Sequence, residues 1–328
     1  MLAFILRRAL MVVPTLIAVS FIAFVILQLP PGDFLDSYIA QLRSQGEVVD
    51  EDAILELRSR YGLDQPMLVQ YWNWISGIVL RGDFGMSFEW KRPVSELIWE
   101  RLGYSAALSV AALLVTWIIA FPIGIYSALR KYSWGDYALN VIGLFGIATP
   151  SFLVALVLMY FAFMQFGMSV GGLYSPEYRD APWSWAKFGD LLAHAWIPLL
   201  VIATNGTASL IRVLRANLLD ELNKPYVVTA RARGAHETAL TLKYPVRVAL
   251  NPFVSTLGWV LVSIVSGEAI ISIVLNLPTT GPLLLQALKA QDMYLAASFI
   301  LMLSVLTVIG TLVSDILLAW LDPRIRHG

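Results

Sequence analysis

Apolar positions in this chain gather into six long runs, at 9–29, 105–128, 137–164, 194–214, 252–276 and 294–320, and polar positions fall mainly between them. Each run is long enough to cross a hydrocarbon core of about 30 Å at about 1.5 Å per helical residue. Lipid offers no partner to an open backbone, so the runs predict helices. The expected fold class is an all-α integral membrane protein of about six transmembrane helices. The first run follows Arg7 and Arg8 and has no small-residue cleavage site ahead of Pro30, Pro31 and Gly32, so it is expected to remain as a span.

The polar stretches divide the chain further. Residues 1–29 form a terminus and first helix, 30–104 a long segment on one side of the membrane, 105–320 a core of five helices interrupted by a polar loop at 215–251, and 321–328 a tail. Within the long segment, Asp50 and the acids Glu51 and Asp52 precede an apolar series that Gly62 closes, the pattern of a capped helix. A second helix is expected from Pro66, with Leu68, Tyr71, Ile75 and Ile78 on one face and Trp72 and Trp74 suited to a membrane interface. Lys and Arg number 13 in the termini and loops of one side (Arg7, Arg8, Arg130, Lys131, Arg212, Arg215, Lys224, Arg231, Arg233, Lys243, Arg247, Arg324, Arg326) against three (Arg179, Lys187, Lys289) in the short loops of the other. By the positive-inside rule both termini and the 215–251 loop are expected in the cytosol.

Composition narrows the chemistry. Of 328 residues 58% are hydrophobic and 14% charged, and the formal charge sums to zero, which removes any bulk electrostatic case for binding nucleic acid. Cysteine is absent, so disulfides, thiolate ligands and cysteine nucleophiles are excluded. There is no GxxxxGK[ST] phosphate loop, so ATP is not bound by that route. His194, His236 and His327 are widely separated, and the His236-Glu237 pair lacks the second histidine of a zinc-protease helix, so neither metal nor catalytic machinery is expected.

The loop after the fourth run carries the most specific pattern. Asn223, Lys224 and Pro225 end one helix, 226–233 can form a short one, Gly234 permits a sharp turn, and another short helix can follow to about Leu242. The run Tyr226-Val-Val-Thr-Ala-Arg-Ala-Arg-Gly234 resembles the coupling loop of permeases from the oligopeptide and dipeptide branch of ABC importers, which depend on an external binding protein. Tyr61-Gly-Leu-Asp-Gln-Pro66, Gly82-Asp-Phe-Gly-Met-Ser-Phe88, Thr149-Pro-Ser-Phe152 and Leu321-Asp-Pro-Arg-Ile-Arg326 extend the similarity over nearly the whole chain.

That resemblance implies a type I ABC importer permease in the bacterial inner membrane. Its expected partners are a second, homologous permease forming a heterodimeric pore, two cytosolic ATPase subunits holding ATP and Mg, and an external solute-binding protein. No cofactor is implied on this chain. The ATPase-coupling residues would be Tyr226, Thr229, Ala230, Arg231, Ala232, Arg233 and Gly234. Val228 replaces the Glu of the widest form of the motif, and Ser272 and Leu277-Pro-Thr-Thr-Gly281 replace a Glu and Trp-Pro-Gly-Leu-Gly of many peptide permeases. The latter segment is similar to members that serve oligosaccharides, so the expected solute is an oligopeptide or an oligosaccharide.

Polar groups inside the runs are the remaining candidates. Glu268 lies roughly 12 Å deep by helical rise, where an unpaired charge costs about 2.5 to 3.5 kcal/mol on insertion scales, so it must face protein or water. Asn205, Ser209 and Arg212 recur on one face of the fourth helix and either line a path, with Glu268, or bond neighbouring helices. Asp315, near the cytosolic end of the last run, is expected to be a structural charge with a basic partner. A secondary transporter would call for inverted repeats and matched helix breaks, and an intramembrane enzyme for a nucleophile or paired acids; neither pattern is visible.

Overall fold

The computed structural model describes residues 2–29, 35–36, 39, 58–59, 63–168, 171–251, 253 and 269–321, with side chains from residue 12 onward except at 205 and 314–321. Among the described residues there are twelve helices: α1 Leu2–Gln28, α2 Met67–Arg81, α3 Val94–Leu129, α4 Trp134–Ala148, α5 Ser151–Phe166, α6 Trp185–Leu222, α7 Pro225–Ala232, α8 Glu237–Lys243, α9 Pro245–Ala249, α10 Ala269–Val274, α11 Thr280–Lys289 and α12 Met293–Leu321. The described residues form no strand, only an isolated bridge between Met86 and Pro93. Among the described residues three stretches are long and apolar enough to cross a membrane, Val94–Leu129, Trp185–Thr204 and Met293–Val313, and the bent pair α4 and α5 adds a fourth if it is one span. Most of the expected helix at 50–62 and most of the run at 252–276 lie outside the described residues.

Three of the expected spans differ in detail. The run at 137–164 is not one helix: α4 and α5 bend by 102° at Thr149 and Pro150. Proline lacks the N–H that would continue the ladder and pushes the preceding residue to extended backbone, where Thr149 lies at φ −90° and ψ 124°. The second span starts at Val94, well before its apolar run, because Glu96 in its first turn suits a helix N-terminus in water. The fourth extends from Trp185 to Leu222, with Pro198 accommodated inside it.

Clustering of contacts divides the chain into two units, 1–104 with 279–308, and 105–278 with 309–328. In the first, α2 packs on α1. Gly82, left-handed at φ 66°, caps α2 with its N–H on the Ile78 carbonyl. Trp74, read from sequence as an interfacial ring, is instead buried. It stacks on Phe24 at 5.6 Å, donates its indole N–H to Ser298 Oγ at 3.3 Å, and joins Met293, Ala297 and Leu301 in one apolar cluster. Periodicity had placed Leu68 on the packed face, yet it is exposed, because the buried stripe of α2 runs through Tyr71, Trp74 and Ile78.

A fully buried acid organises the same unit. Asp292, immediately before α12, accepts hydrogen bonds from Ser87 Oγ at 2.5 Å and from the Glu89 and Leu295 N–H groups at 3.2 Å. It thereby caps α12 and fixes the 82–93 loop, while Phe88 packs against Tyr294 with ring centroids 5.2 Å apart.

In the second unit α6 is the central element, with α4, α5, α9 and α10 packed on it. Gly143 and Gly146 allow α4 its close approach. A Cβ at Gly146 would lie 3.1 Å from Thr204 Cγ2, and one at Gly143 3.8 Å from Ala208 Cβ. Lys187, read as an external loop cation, is in the first turn of α6 and buried. Its ammonium donates to the Ala181 carbonyl at 2.5 Å and lies 5.0 Å from the Tyr174 ring centroid. Carbonyl oxygens and an aromatic face offset the cost of removing this charge from water.

Candidate functional site

The segment that follows α6 is built by two backbone constraints. Pro225 occupies the first turn of α7, where its missing N–H costs nothing, and Gly234 turns the chain at φ 79°. The Gly234 N–H donates to the Arg231 carbonyl at 3.0 Å and the Ala235 N–H to the Ala230 carbonyl at 3.3 Å, so the end of α7 is closed before α8 starts. The short helix and turn expected at 226–234 are matched in outline, with α7 one residue earlier at each end than the 226–233 expected.

Side chains of α7 divide sharply between inside and outside. Val227 is fully buried and holds the helix to the body of the unit, whereas Tyr226, Val228, Thr229, Arg231, Ala232, Arg233 and Gly234 are exposed and Ala230 is half-buried. Tyr226, Thr229, Ala230, Arg233, Ala235 and Tyr244 line a cleft of about 540 Å³. Most of a two-turn helix therefore faces outward around a depression.

Polar contacts hold the segment in shape. Tyr226 donates its hydroxyl to Glu221 at 2.5 Å, and burial, with this carboxylate, pushes the phenol up to about 12. The hydroxyl therefore stays protonated and the link to the last turn of α6 persists. Thr229 Oγ1 donates back to the Pro225 carbonyl at 2.9 Å. Across the Gly234 turn, Arg231 grips Glu237 with Nε 2.9 Å from Oε2, and this guanidinium holds the Glu237 carboxyl below its ordinary value. Arg231 is thus engaged within the loop, while Arg233 stands at the cleft.

The remaining sequence candidates are placed less completely. Ser209 and Arg212 are exposed on α6. The side chains of Asn205 and Asp315, and the whole of Glu268, lie outside the described residues. No group of three metal-ligating side chains occurs among the described residues.

One constellation was missed in the sequence. Arg215, counted there only as one cytosolic cation, donates from Nε at 2.9 Å and from its terminal nitrogen at 2.8 Å to the two oxygens of Asp136. Asp136 is buried in the first turn of α4 and also accepts from Ser127 Oγ, the Tyr132 N–H at 2.9 Å and Asn140 Nδ2 at 2.7 Å. The available signal was Ser133 followed by Asp136, a cap pattern in which Ser133 Oγ accepts the Asp136 N–H at 3.1 Å. Nothing local indicated the arginine 79 residues away.

Comparison with known proteins accounts for the whole chain. Residues 120–327 match the family described as binding-protein-dependent transport system inner membrane component, and residues 1–109 match the N-terminal membrane component of the same systems. The chain is 33% identical over 329 residues to an oligopeptide transport system permease protein of Bacillus subtilis, covering all of both proteins. It is 31% identical over 327 residues to a glutathione transport system permease protein of Salmonella typhimurium, again covering all of both. Both relatives are named for peptides, which leaves the expected likeness to oligosaccharide transporters without support. With apolar helices that cross the membrane several times and a family match over most of its length, the chain belongs to the inner membrane components of binding-protein-dependent transport systems and is the permease subunit of an ABC importer.

Proposed function

We propose that the permease forms half of a pore for short peptides and that 226–234 is the element through which partner ATPases drive it. The observation that carries this reading is the geometry of α7: one buried anchor, Val227, and an outward face that combines Tyr226 and Val228 with small and cationic residues around a cleft, ended by a left-handed glycine. Small side chains let a partner's backbone approach closely, and Arg233 supplies a cation at the rim. ATP and Mg belong in this reading to the two ATPase subunits, since the chain carries no phosphate loop. A second, homologous permease completes the pore and an external binding protein delivers the solute. Both termini face the cytosol, supported by the excess of Lys and Arg on that side. The peptide class is supported by the names of the two relatives.

The test is purification from native membranes under mild detergent. Two ATPase subunits, a second permease and a soluble binding protein carrying a short peptide are the expected companions. Recovery of the chain alone, with gradient-driven uptake after reconstitution, would refute the reading. A binding protein loaded with an oligosaccharide would correct the solute and leave the coupling element standing.

A further inference from the structure

Only Asn223 and Lys224 separate α6 from α7, so any force on 226–234 reaches the last turns of α6 directly. Those turns are held on two sides. On one, Leu214 and Leu218, both fully buried, pack with Ala128, Val246, Ala249 and Phe253. Gly124 approaches so closely that a Cβ there would lie 2.8 Å from Leu214 Cδ2. On the other side, Arg215 forks onto Asp136.

Asp136 draws its donors from four places: Ser127 at the end of α3, Tyr132 in the turn between helices, Asn140 one turn on in α4, and Arg215 of α6. Glycine contacts with Thr204 and Ala208 also bring α4 and α6 together, independently of this acid. A buried ion pair is also poor at adding net stability, because the loss of hydration offsets most of its attraction. What a two-bond fork adds over a packing contact is orientation: it fixes rotation as well as distance. Tyr132 reinforces the point, since it sits at φ 65°, a strained conformation for a non-glycine residue, with its N–H on the Asp136 carboxylate.

We infer that Asp136 is a positioning residue for transport: it joins the 130–133 turn, the start of α4 and the last turns of α6 into one rigid arm. A displacement at 226–234 is then delivered to α3 and α4 without slack. This rests on the reading of 226–234 as the coupling element.

The chain has no cysteine, so spin labels can be placed at Lys131→Cys and Asp220→Cys, both exposed and at the two ends of the arm, in the assembled complex. The distance between them should be the same in the nucleotide-free and the ATP-analogue-trapped complex, and Asp136→Asn should broaden it. The ratio of hydrolysis with the binding protein to hydrolysis without it should fall about fivefold in that variant, at the low end of ordinary coupling between sites, with subunit content changed by less than about twofold. Because Asp136→Asn leaves Arg215 without its counter-charge and can reduce folding, the double variant Asp136→Asn with Arg215→Met is the control. It should recover yield and melting temperature while the ratio stays low and the distance broad. Recovery of the ratio together with the yield would reduce the pair to a structural role and overturn the inference, as would a distance in the unmodified arm that changes between the two states. Ala230→Arg reports separately on the coupling element. If it leaves stimulated hydrolysis intact, that reading fails while the label distances still judge the arm.

Discussion

Replacing Gly234 tests the coupling segment through its backbone alone. At φ 79° the residue is left-handed, yet a Cβ built there meets no atom within 4 Å, so a new side chain has room and any cost comes from conformation. For an L-residue that cost is about 1–2 kcal/mol, smaller for Asn and greater for a β-branched residue. The contacts opposing a change are the Ala235 N–H bond to Ala230 and the Arg231 pair with Glu237, which lies in open solvent and contributes little there. A strain of about 2 kcal/mol shifts the balance between closed and opened turns by roughly 30-fold toward an α8 displaced from α7. Stimulated ATP hydrolysis by the reconstituted complex should therefore fall in the order Gly, Asn, Ala, Val at position 234, and Gly234→Val should still co-purify with ATPase subunit because the α7 surface is untouched. Full stimulation in Gly234→Val would refute the reasoning. So would an Asn variant as impaired as the Val variant, since that would make bulk at the interface, and not φ, the cause.

Two further outcomes follow from the same physical account. Ser87→Ala removes a charge-assisted hydrogen bond to Asp292 and should cost about 1.5–3 kcal/mol where the acid is ionised. Burial pushes the Asp292 carboxyl above its ordinary value, against the pull of Ser87 and the loop N–H groups, so the folded state keeps its proton to higher pH than the unfolded chain. Stability from this site is full below the ordinary carboxylate value and falls as pH rises through the raised one. Melting of the permease in detergent should show a Ser87→Ala penalty that grows as pH rises through the raised value, and a penalty that does not change with pH would count against a buried, titrating Asp292. For orientation, Glu177→Cys should react with an impermeant thiol reagent in cells with a permeabilised outer membrane, and Thr238→Cys should not. Both positions are exposed, so labelling of Thr238→Cys from outside would invert the topology and remove α7 from the cytosol.

Much of this molecule is written in short-range pattern. Length and hydropathy of the runs determine that the chain lives in a membrane and is helical, because lipid forces each segment to satisfy its own backbone. Pro225 and Gly234 delimit the candidate coupling helix for an equally local reason: one fixes φ and lacks an N–H, the other tolerates positive φ, wherever they stand. Thr149-Pro150 was visible in the same way, but whether a proline bends a helix or is absorbed, as Pro198 is in α6, depends on what its neighbours can pack against. The inward turn of Val227, the burial of Trp74 against Phe24 and the retention of Lys187 among carbonyls were decided by tertiary contacts. Most plainly, sequence counted Arg215 among thirteen interchangeable cations and passed over Asp136 and Asp292 altogether. Their partners stand 79 and 205 residues away along the chain, and only the packing of α4 on α6 and of the 82–93 loop on the start of α12 determines which charge meets which donor.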